Sequence, residues 1–122
     1  MKKKNMRTSQ EKINSTLNKR IKLSLNQVVS DLKNEDEVKH FLNDFLTDSE
    51  YEVFAKRLAV AYWLRKGRSY KNIKTNLKVS SATIASVQSM IEKKGFALAI
   101  SKLEAEEWAN QWAERFKKIT GR

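Results

Sequence analysis

Apolar residues recur every three or four positions through the first third of the chain. This spacing places them on one face of a helix. The residues on this face are Ile13, Leu17, Ile21, Leu25, Val28, Val29 and Leu32. Ser24 and Gln27 have the spacing of a capping box, in which the two side chains satisfy free N–H groups at a helix start. The pattern therefore predicts two helices here, with a break at Ser24.

Two further capping patterns open the next two helices. Residues 34–37 precede a helical run that ends near residue 46, and residues 47–50 precede a second run over about residues 49–66. The second half of the latter run is apolar on almost every side. A helix of that kind is normally the buried centre of its fold, so we expect this one to be central.

Three more patterns predict helices over about residues 70–77, 81–94 and 97–118. Gly67 and Gly95 each follow basic residues, which is a common signal for the end of a helix. No stretch alternates as a strand would, and the chain has no proline. We therefore predict an all-α, multi-helix fold, with a basic disordered arm at residues 1–8 and a single helical domain over residues 9–122.

Residues 69–89 fit a helix-turn-helix, a unit of about twenty residues in which two short helices share a buried seam. Counted from Tyr70, the five positions that should be apolar hold Ile73, Leu77, Val79, Ile84 and Val87. Ser69 can cap the first helix, and Ser80 or Ser81 can cap the second. Two positions fit poorly. The fifth position usually holds a small residue, but here it holds Lys74. The ninth often holds a glycine, because the turn can need a left-handed conformation, but here it holds Lys78.

The outward face of the second short helix has only small side chains, so this helix can enter the major groove of duplex DNA deeply. We assign to base reading Ser80, Ser81, Ala82, Ala85, Ser86 and Ser89. Basic residues lie on or beside the first short helix, where phosphates would pass. We assign to phosphate contact Arg68, Lys71, Lys74, Lys78 and Thr83.

The charge distribution favours a polyanionic partner. The net charge is +11, and two basic blocks flank an acidic middle: residues 1–33 have nine Lys/Arg and two Asp/Glu, and residues 67–96 have six and one. Such blocks suit nucleic acid, although basic surface also aids solubility. Proteins that bind single-stranded RNA interleave aromatic and basic residues to stack on bases. Residues 1–33 contain no aromatic residue, which favours duplex DNA.

Little in the sequence points to catalysis, a cofactor or a membrane. There is no cysteine, and no apolar run approaches the roughly 20 residues that span a bilayer. His40 is the only histidine, and a structural role beside Phe41 is the simpler interpretation. No phosphate-binding loop, glycine-rich nucleotide turn or nucleophile with its base is present. We therefore expect a cytoplasmic protein with no enzyme activity, no metal and no cofactor.

Four segments within about residues 38–90 carry a resemblance to a known family: residues 45–50 (FLTDSE), 55–61 (AKRLAVA), 64–70 (LRKGRSY) and 81–84 (SATI). They resemble the Trp repressor superfamily, and within it the YerC/YecD-type branch. The resemblance implies an intertwined homodimer whose two reading helices enter successive major grooves of a roughly palindromic operator. It also implies that Ala82, Thr83 and Ile84 begin the reading helix.

The same resemblance bears on a small-molecule effector. In the Trp repressor, an arginine two places after the isoleucine of Ala-Thr-Ile helps to hold L-tryptophan, and here that place is Ser86. A second arginine of that pocket falls near Lys56. A serine lacks the bidentate, charged grip of a guanidinium. We therefore expect that L-tryptophan does not bind and that DNA binding needs no amino-acid corepressor.

One alternative function stays open at this point. A basic helical protein can bind RNA or an acidic protein partner and use the two-helix unit only as scaffold. Trp108, Trp112 and Phe116 form a stripe on the last predicted helix that suits either the core or an interface with a second copy. The basic block at residues 67–96 and the small outward face favour the other hypothesis. We predict a sequence-specific, homodimeric, DNA-binding transcription regulator, most simply a repressor.

Overall fold

The computed structural model of the chain describes residues 13–120, with side chains as far as residue 111 and at residue 114. Over these residues it contains helices and no strand. The helices are α1 (Ser15–Ser30), α2 (Glu35–Phe45), α3 (Asp48–Arg65), α4 (Tyr70–Leu77), α5 (Ser81–Met90) and α6 (Lys94–Thr120). The predicted all-α fold is confirmed. The basic arm predicted at residues 1–8 lies outside the described residues.

The chain divides into two compact units, Met1–Phe45 and Leu46–Arg122. Helices α1 and α2 belong to the first unit, and α3 to α6 belong to the second. The single domain expected over residues 9–122 stays a prediction. No described helix is long and apolar enough to cross a membrane.

Helix α1 continues through Ser24, so the predicted break there is wrong. The helix begins after Asn14, whose Oδ1 accepts the N–H groups of Thr16 and Leu17 at 2.9 and 3.2 Å. Gln27 does not reach back to Ser24. Its Nε2 donates instead to Oδ1 of Asp31, one turn further on, at 3.1 Å. Because the return bond of the capping box is missing, nothing interrupts the helix before Ser30.

Of the other two capping patterns, the one at α3 forms as predicted, and the one at α2 forms with its return bond one residue before the cap. At the start of α2, Oδ1 of Asn34 accepts the N–H of Glu37, and the Glu37 carboxylate accepts the N–H of Lys33, both at 2.9 Å. At the start of α3, Thr47 and Glu50 make the two reciprocal bonds of a capping box, at 3.1 and 2.8 Å. These bonds satisfy N–H groups that have no partner within the helix, and so they fix where each helix begins.

Helix α3 is the centre of the second unit and packs against α4, α5 and α6. The buried core consists of Val60, Ala61, Ile73, Ile84, Val87, Ile91 and Ile100. The first two of these residues lie in the second half of α3, as its apolar pattern predicted. In the first half, Val53 and Phe54 are more than half exposed. The core therefore stabilises the end of α3, from which α4 and α5 follow directly.

The boundary between α5 and α6 differs from the prediction. Helix α5 ends at Met90, and Gly95 lies in the first turn of α6, so Gly95 does not end a helix. The chain turns over residues 91–93, where the N–H of Lys93 donates to the carbonyl of Met90 at 2.9 Å. Ile91 is buried within this turn. The break is therefore accompanied by burial of an isoleucine and has no glycine in it.

Candidate nucleic-acid interface

The junction between α3 and α4 is a Schellman turn built on Gly67. Gly67 has a φ of 85°, a left-handed conformation that glycine adopts without steric cost. Its N–H donates to the carbonyl of Leu64 at 3.0 Å, and the N–H of Arg68 donates to the carbonyl of Trp63 at 3.1 Å. Gly67 therefore ends α3 as predicted, and the turn brings Arg68 back over the last turn of that helix.

Arg68 lies on the ring of Trp63. Its guanidinium carbon is 4.0 Å from the centre of the ring, and Nη1 donates to Oδ1 of Asn72 at 3.2 Å. Residue Trp63 is half-buried and packs against the core, whereas Arg68 is exposed. The apolar pattern of the sequence did not predict this stack. The available signal was the spacing, because a Schellman turn brings the residue after its glycine onto the residue four before that glycine.

Helix α4 presents a row of lysines. Ser69 caps the helix as predicted, with its Oγ accepting the N–H of Asn72 at 3.1 Å. Lys71 and Lys74 are three residues apart and so share one side of the helix, and Lys78 follows its last residue, Leu77. All three are exposed, and none forms an ion pair with a described residue. Ile73, one of the predicted core residues, is fully buried on another side of α4.

The turn between α4 and α5 contains a lysine whose backbone is in the left-handed helical conformation. Lys78 has φ 56° and ψ 48°, and its N–H donates to the carbonyl of Lys74 at 3.0 Å. The left-handed conformation that the motif needs at this position is therefore present, and a lysine adopts it at a steric cost that a glycine would avoid. Val79 follows, half-buried against the core.

Helix α5 has no charged residue, and its exposed side chains are small except for that of Gln88. Ser80 is the cap: its Oγ accepts the N–H of Thr83 at 3.1 Å, and its hydroxyl forms a hydrogen bond with the Thr83 hydroxyl at 3.0 Å. Ser89 donates its hydroxyl proton to the carbonyl of Ser86 at 2.7 Å, which leaves only acceptor capacity on its oxygen. The hydroxyls of Ser80 and Ser89 are thus partly engaged within the helix.

The two helices share the seam that the sequence predicted. Of the five expected core positions, Ile73, Ile84 and Val87 are buried, and Leu77 and Val79 are half-buried against them. The residues assigned to base reading and to phosphate contact are all exposed. Two short helices on a common apolar seam, joined by a tight turn and packed on α3, define a helix-turn-helix.

A polar cluster connects α6 to the end of α3. The Tyr62 hydroxyl and the Lys66 ammonium both bond Oε1 of Glu107, the latter at 3.0 Å. The hydrogen bond from Tyr62, followed by the one from Lys66, lowers the pKa of the Glu107 carboxyl. The bond to Glu107 in turn raises the pKa of Tyr62 and that of Lys66. The cluster thus fixes a charged carboxylate beside Lys66, the residue that caps α3.

The described residues contain no cluster of three or more His, Asp or Glu side chains that could hold a metal ion. His40 lies on the surface of α2, with Nε2 3.6 Å from the carboxylate of Asp36. A cavity of about 370 Å³ in the second unit is lined by Phe54, Arg57, Leu58, Lys93, Gly95, Phe96 and Ala99. Neither Ser86 nor Lys56 lines this cavity, and Lys56 pairs with Glu52 at 3.1 Å.

The predicted aromatic stripe falls at the edge of the described residues. Trp108 is about three-fifths exposed on α6. The side chains of Trp112 and Phe116 lie outside the described part of the chain, and so does Gly121.

Comparison with known proteins identifies the family. A model of the Trp repressor protein family matches residues 22–105. This chain therefore belongs to the Trp repressor family, within which it is a YerC-type, TrpR-like protein. The match extends beyond residues 38–90, where the resemblance was recognised, into α1 and α6.

One sequence relative and one solved structure support this membership. The protein YerC of Bacillus subtilis (strain 168) is 40% identical over 63 residues, which span 52% of this chain and 60% of that relative. The crystal structure of a TrpR-like protein from Eubacterium eligens ATCC 27750 superposes with a TM-score of 0.67 at 29% identity. That match covers 75% of this chain and 96% of the other.

Proposed function

We propose that the chain is a sequence-specific, double-stranded DNA-binding transcription regulator that acts as a homodimer through the helix-turn-helix of α4 and α5. The observation that supports it most is the way apolar, basic and small residues occupy different surfaces of this unit. Its apolar residues form one shared seam, its lysines lie on one exposed side of α4 and just after that helix, and the exposed face of α5 is uncharged and consists mainly of small residues. Membership of the Trp repressor family supports the same role.

In this proposal, the lysine row and Arg68 contact phosphates. Lys71, Lys74 and Lys78 are exposed and form no ion pair within the described residues, so they need not release a partner to bind an anion. Thr83 completes the predicted phosphate set. Phosphate contacts give affinity and register and have little dependence on sequence.

Base reading is assigned to the face of α5. Because Ser80 and Ser89 are partly engaged in bonds within the helix, we expect Ser81, Ala82, Ala85 and Ser86 to make the main contacts. Alanine methyl groups suit the C5 methyl group of thymine, and a serine hydroxyl can donate to or accept from any base edge.

The homodimer is supported by apolar surface that each unit leaves exposed. In α1 the apolar residues, each about half exposed or more, are Leu17, Ile21, Leu23, Leu25, Val28 and Val29. In the second unit, Val53, Phe54 and Leu58 of α3 are also exposed. Apolar patches this extensive on a small protein commonly mark an interface. A second copy also supplies a second reading helix, which doubles the length of DNA that is recognised.

Selection from a random duplex pool, followed by fluorescence anisotropy, tests DNA binding directly. We expect enrichment of a roughly palindromic site, and a fall in affinity of at least ~10-fold between 50 and 200 mM salt, since even a few phosphate contacts give that slope. No enrichment and a flat salt titration would contradict the proposal. Tighter binding to single-stranded RNA or to an acidic protein would support the alternative instead.

Light scattering at micromolar concentration tests the dimer. We expect a mass of twice 14.2 kDa. Exchange of an exposed apolar residue of α1 for a charged one, Ile21→Glu, should shift the population toward the monomer. The matched exchange Lys22→Glu, on the neighbouring residue, should leave it unchanged. A monomer at all concentrations would contradict the dimer and leave DNA binding to be judged by the selection.

Repression is the regulatory direction that we propose. A reporter with the selected site placed across its promoter should lose expression when the protein is present, because a bound dimer blocks access to the promoter. The same reporter with a scrambled site is the control. Increased expression from the selected site would show an activator instead.

A further inference from the structure

We infer that Arg68 is a pre-oriented contact to a DNA phosphate, and that Trp63 and Asn72 are the positioning residues that hold its guanidinium ready for it. The inference deepens the proposed function and rests on it. It assigns roles to Trp63, which lies outside the helix-turn-helix motif, and to Asn72, which lies in the first helix of the motif, and it names the ligand, a backbone phosphate that flanks the base-read site.

The geometry restricts the guanidinium from two directions. The Trp63 ring lies beneath it at 4.0 Å, and Oδ1 of Asn72 holds Nη1 at 3.2 Å. The Schellman turn at Gly67 fixes the backbone from which the side chain starts. A stacked, singly hydrogen-bonded arginine retains four of its five N–H donors. Arginine is also the side chain whose planar fork matches a phosphate.

The two supports are themselves held in place. Trp63 packs against the buried core, so its ring cannot turn away without disturbing that core. Asn72 lies in the first turn of α4, where its N–H bonds the Ser69 cap at 3.1 Å and its carbonyl accepts from Nδ2 of Asn76 at 2.9 Å. Arg68 is therefore ordered before any partner arrives. An ordered side chain loses less conformational entropy on binding than a free one.

The surroundings of Arg68 suit an anion. Lys71 and Lys74 lie within the next two turns of the chain, and no described carboxylate pairs with Arg68. A surface arginine that only stabilised the fold would serve equally well beside an acidic residue. Instead the residue that orients it, Asn72, is neutral and leaves its charge uncompensated.

A double-mutant cycle on DNA affinity tests the inference. We expect Arg68→Ala to weaken binding about tenfold and to lower the slope of log affinity against log salt by about one, the signature of one lost phosphate contact. Asn72→Ala and Trp63→Phe should each weaken binding about threefold at unchanged slope, the effect of disordering one long side chain. In the Arg68→Ala background, Asn72→Ala should have no further effect.

The matched control is Arg65→Lys against Arg68→Lys. Arg65 is exposed in the last turn of α3 and lies on no ring among the described residues. Both variants keep the charge, but only Arg68→Lys should weaken binding. Urea unfolding of Asn72→Ala checks that the fold is unchanged, since this side chain is exposed.

Two results would overturn the inference. One is an Arg68→Ala variant that binds with wild-type affinity and slope. The other is an Asn72→Ala effect of equal size with and without Arg68, which would mean that Asn72 touches DNA itself. A wild-type chain that binds no duplex would overturn the proposed function as well, so the two failures are distinguishable.

Discussion

Lys78 is a charged residue at a position where glycine would be the more stable choice. Its left-handed conformation is disfavoured for any residue with a Cβ atom, and glycine would adopt it freely. Such strain persists where the surrounding structure imposes it, and it often coincides with a functional site. A lysine here places a positive charge at the turn that joins the two helices of the motif.

We expect Lys78→Gly to be more stable than Lys78→Ala by about 1 kcal/mol, because only glycine relieves the left-handed strain. Both variants should bind DNA equally and more weakly than the wild type, since both lack the ammonium group. Urea unfolding gives the stability difference, and anisotropy gives the affinities. Wild-type affinity in Lys78→Gly would show that the lysine makes no phosphate contact.

Glu107 should make the stability of the second unit depend on pH. Its pKa is lowered from the ordinary 4.5, first by the hydrogen bond from Tyr62 and then by the one from Lys66. A carboxyl with a lowered pKa stabilises the fold above its unfolded pKa and loses that contribution as pH falls through the folded value. The cluster should therefore contribute at neutral pH and fail in acid.

Glu107→Gln tests this dependence because it removes the charge and keeps the shape. We expect a lower urea midpoint than the wild type at pH 7, and a difference that shrinks as the pH is taken below 4.5. Glu106→Gln, on the neighbouring exposed carboxylate with no described ion pair, is the control and should change little. A difference that stays constant from pH 7 to pH 3 would mean that charge is not the cause.

At the scale of helices, the start signals predicted more than the stop signals did. Asn34, Thr47, Ser69 and Ser80 each cap a helix, because the bonds involved are local and reach only two or three residues. Ser24 failed because Gln27 has a competing partner in Asp31. The end of α5 was missed because burial of Ile91 is a tertiary effect that local spacing does not encode.

The reading helix should recognise bases mainly through methyl groups and hydroxyls. Helix α5 has no charged side chain and so lacks the arginine or lysine that most often contacts guanine. In the selected site, replacing a contacted thymine by uracil removes only the C5 methyl group. We expect this to weaken binding several-fold at the positions facing Ala82 or Ala85. No effect at any thymine would mean that these alanines face away from the bases.

Substitutions on α4 and α5 should have different effects. Ser86→Arg or Ala85→Glu should change or abolish the sequence preference, because both are assigned to the base-reading face. Lys71→Ala or Lys74→Ala should weaken binding to every sequence alike. Repeating the duplex selection with each variant makes the comparison. If the lysine variants shifted the preference and the α5 variants did not, the assignment of the two helices would be reversed.

At the scale of the whole molecule, the sequence predicted the helix-turn-helix, but it did not predict the side-chain contacts around it. The five seam positions follow from periodicity, and the structure buries or half-buries every one. The stack of Arg68 on Trp63 depends on side-chain geometry. The hydrogen bond between Tyr62 and Glu107 joins residues that are 45 positions apart in the sequence. Periodicity has no information about either, because both involve residues outside the repeating apolar pattern.

Membership of the Trp repressor family raises the question of the effector, and we expect L-tryptophan not to bind. Ser86 stands where an arginine would be needed, and it is exposed and neutral. Losing a charged hydrogen bond costs roughly 1.5–3 kcal/mol, which is ten- to over a hundredfold in affinity. Lys56, near the place of the second arginine, is already paired with Glu52 at 3.1 Å. L-tryptophan would thus meet the neutral side chain of Ser86 and, at Lys56, an ammonium group that already has a carboxylate partner.

Isothermal titration of the protein with L-tryptophan makes the measurement, with anisotropy on the selected site run in parallel. We expect no heat of binding and the same DNA affinity with and without the amino acid. Ser86→Arg is the matched variant. If it binds L-tryptophan and the wild type does not, the residue at position 86 decides whether the amino acid binds. A wild-type dissociation constant of about tens of micromolar, together with tighter DNA binding, would contradict the prediction and make the chain a tryptophan-responsive regulator.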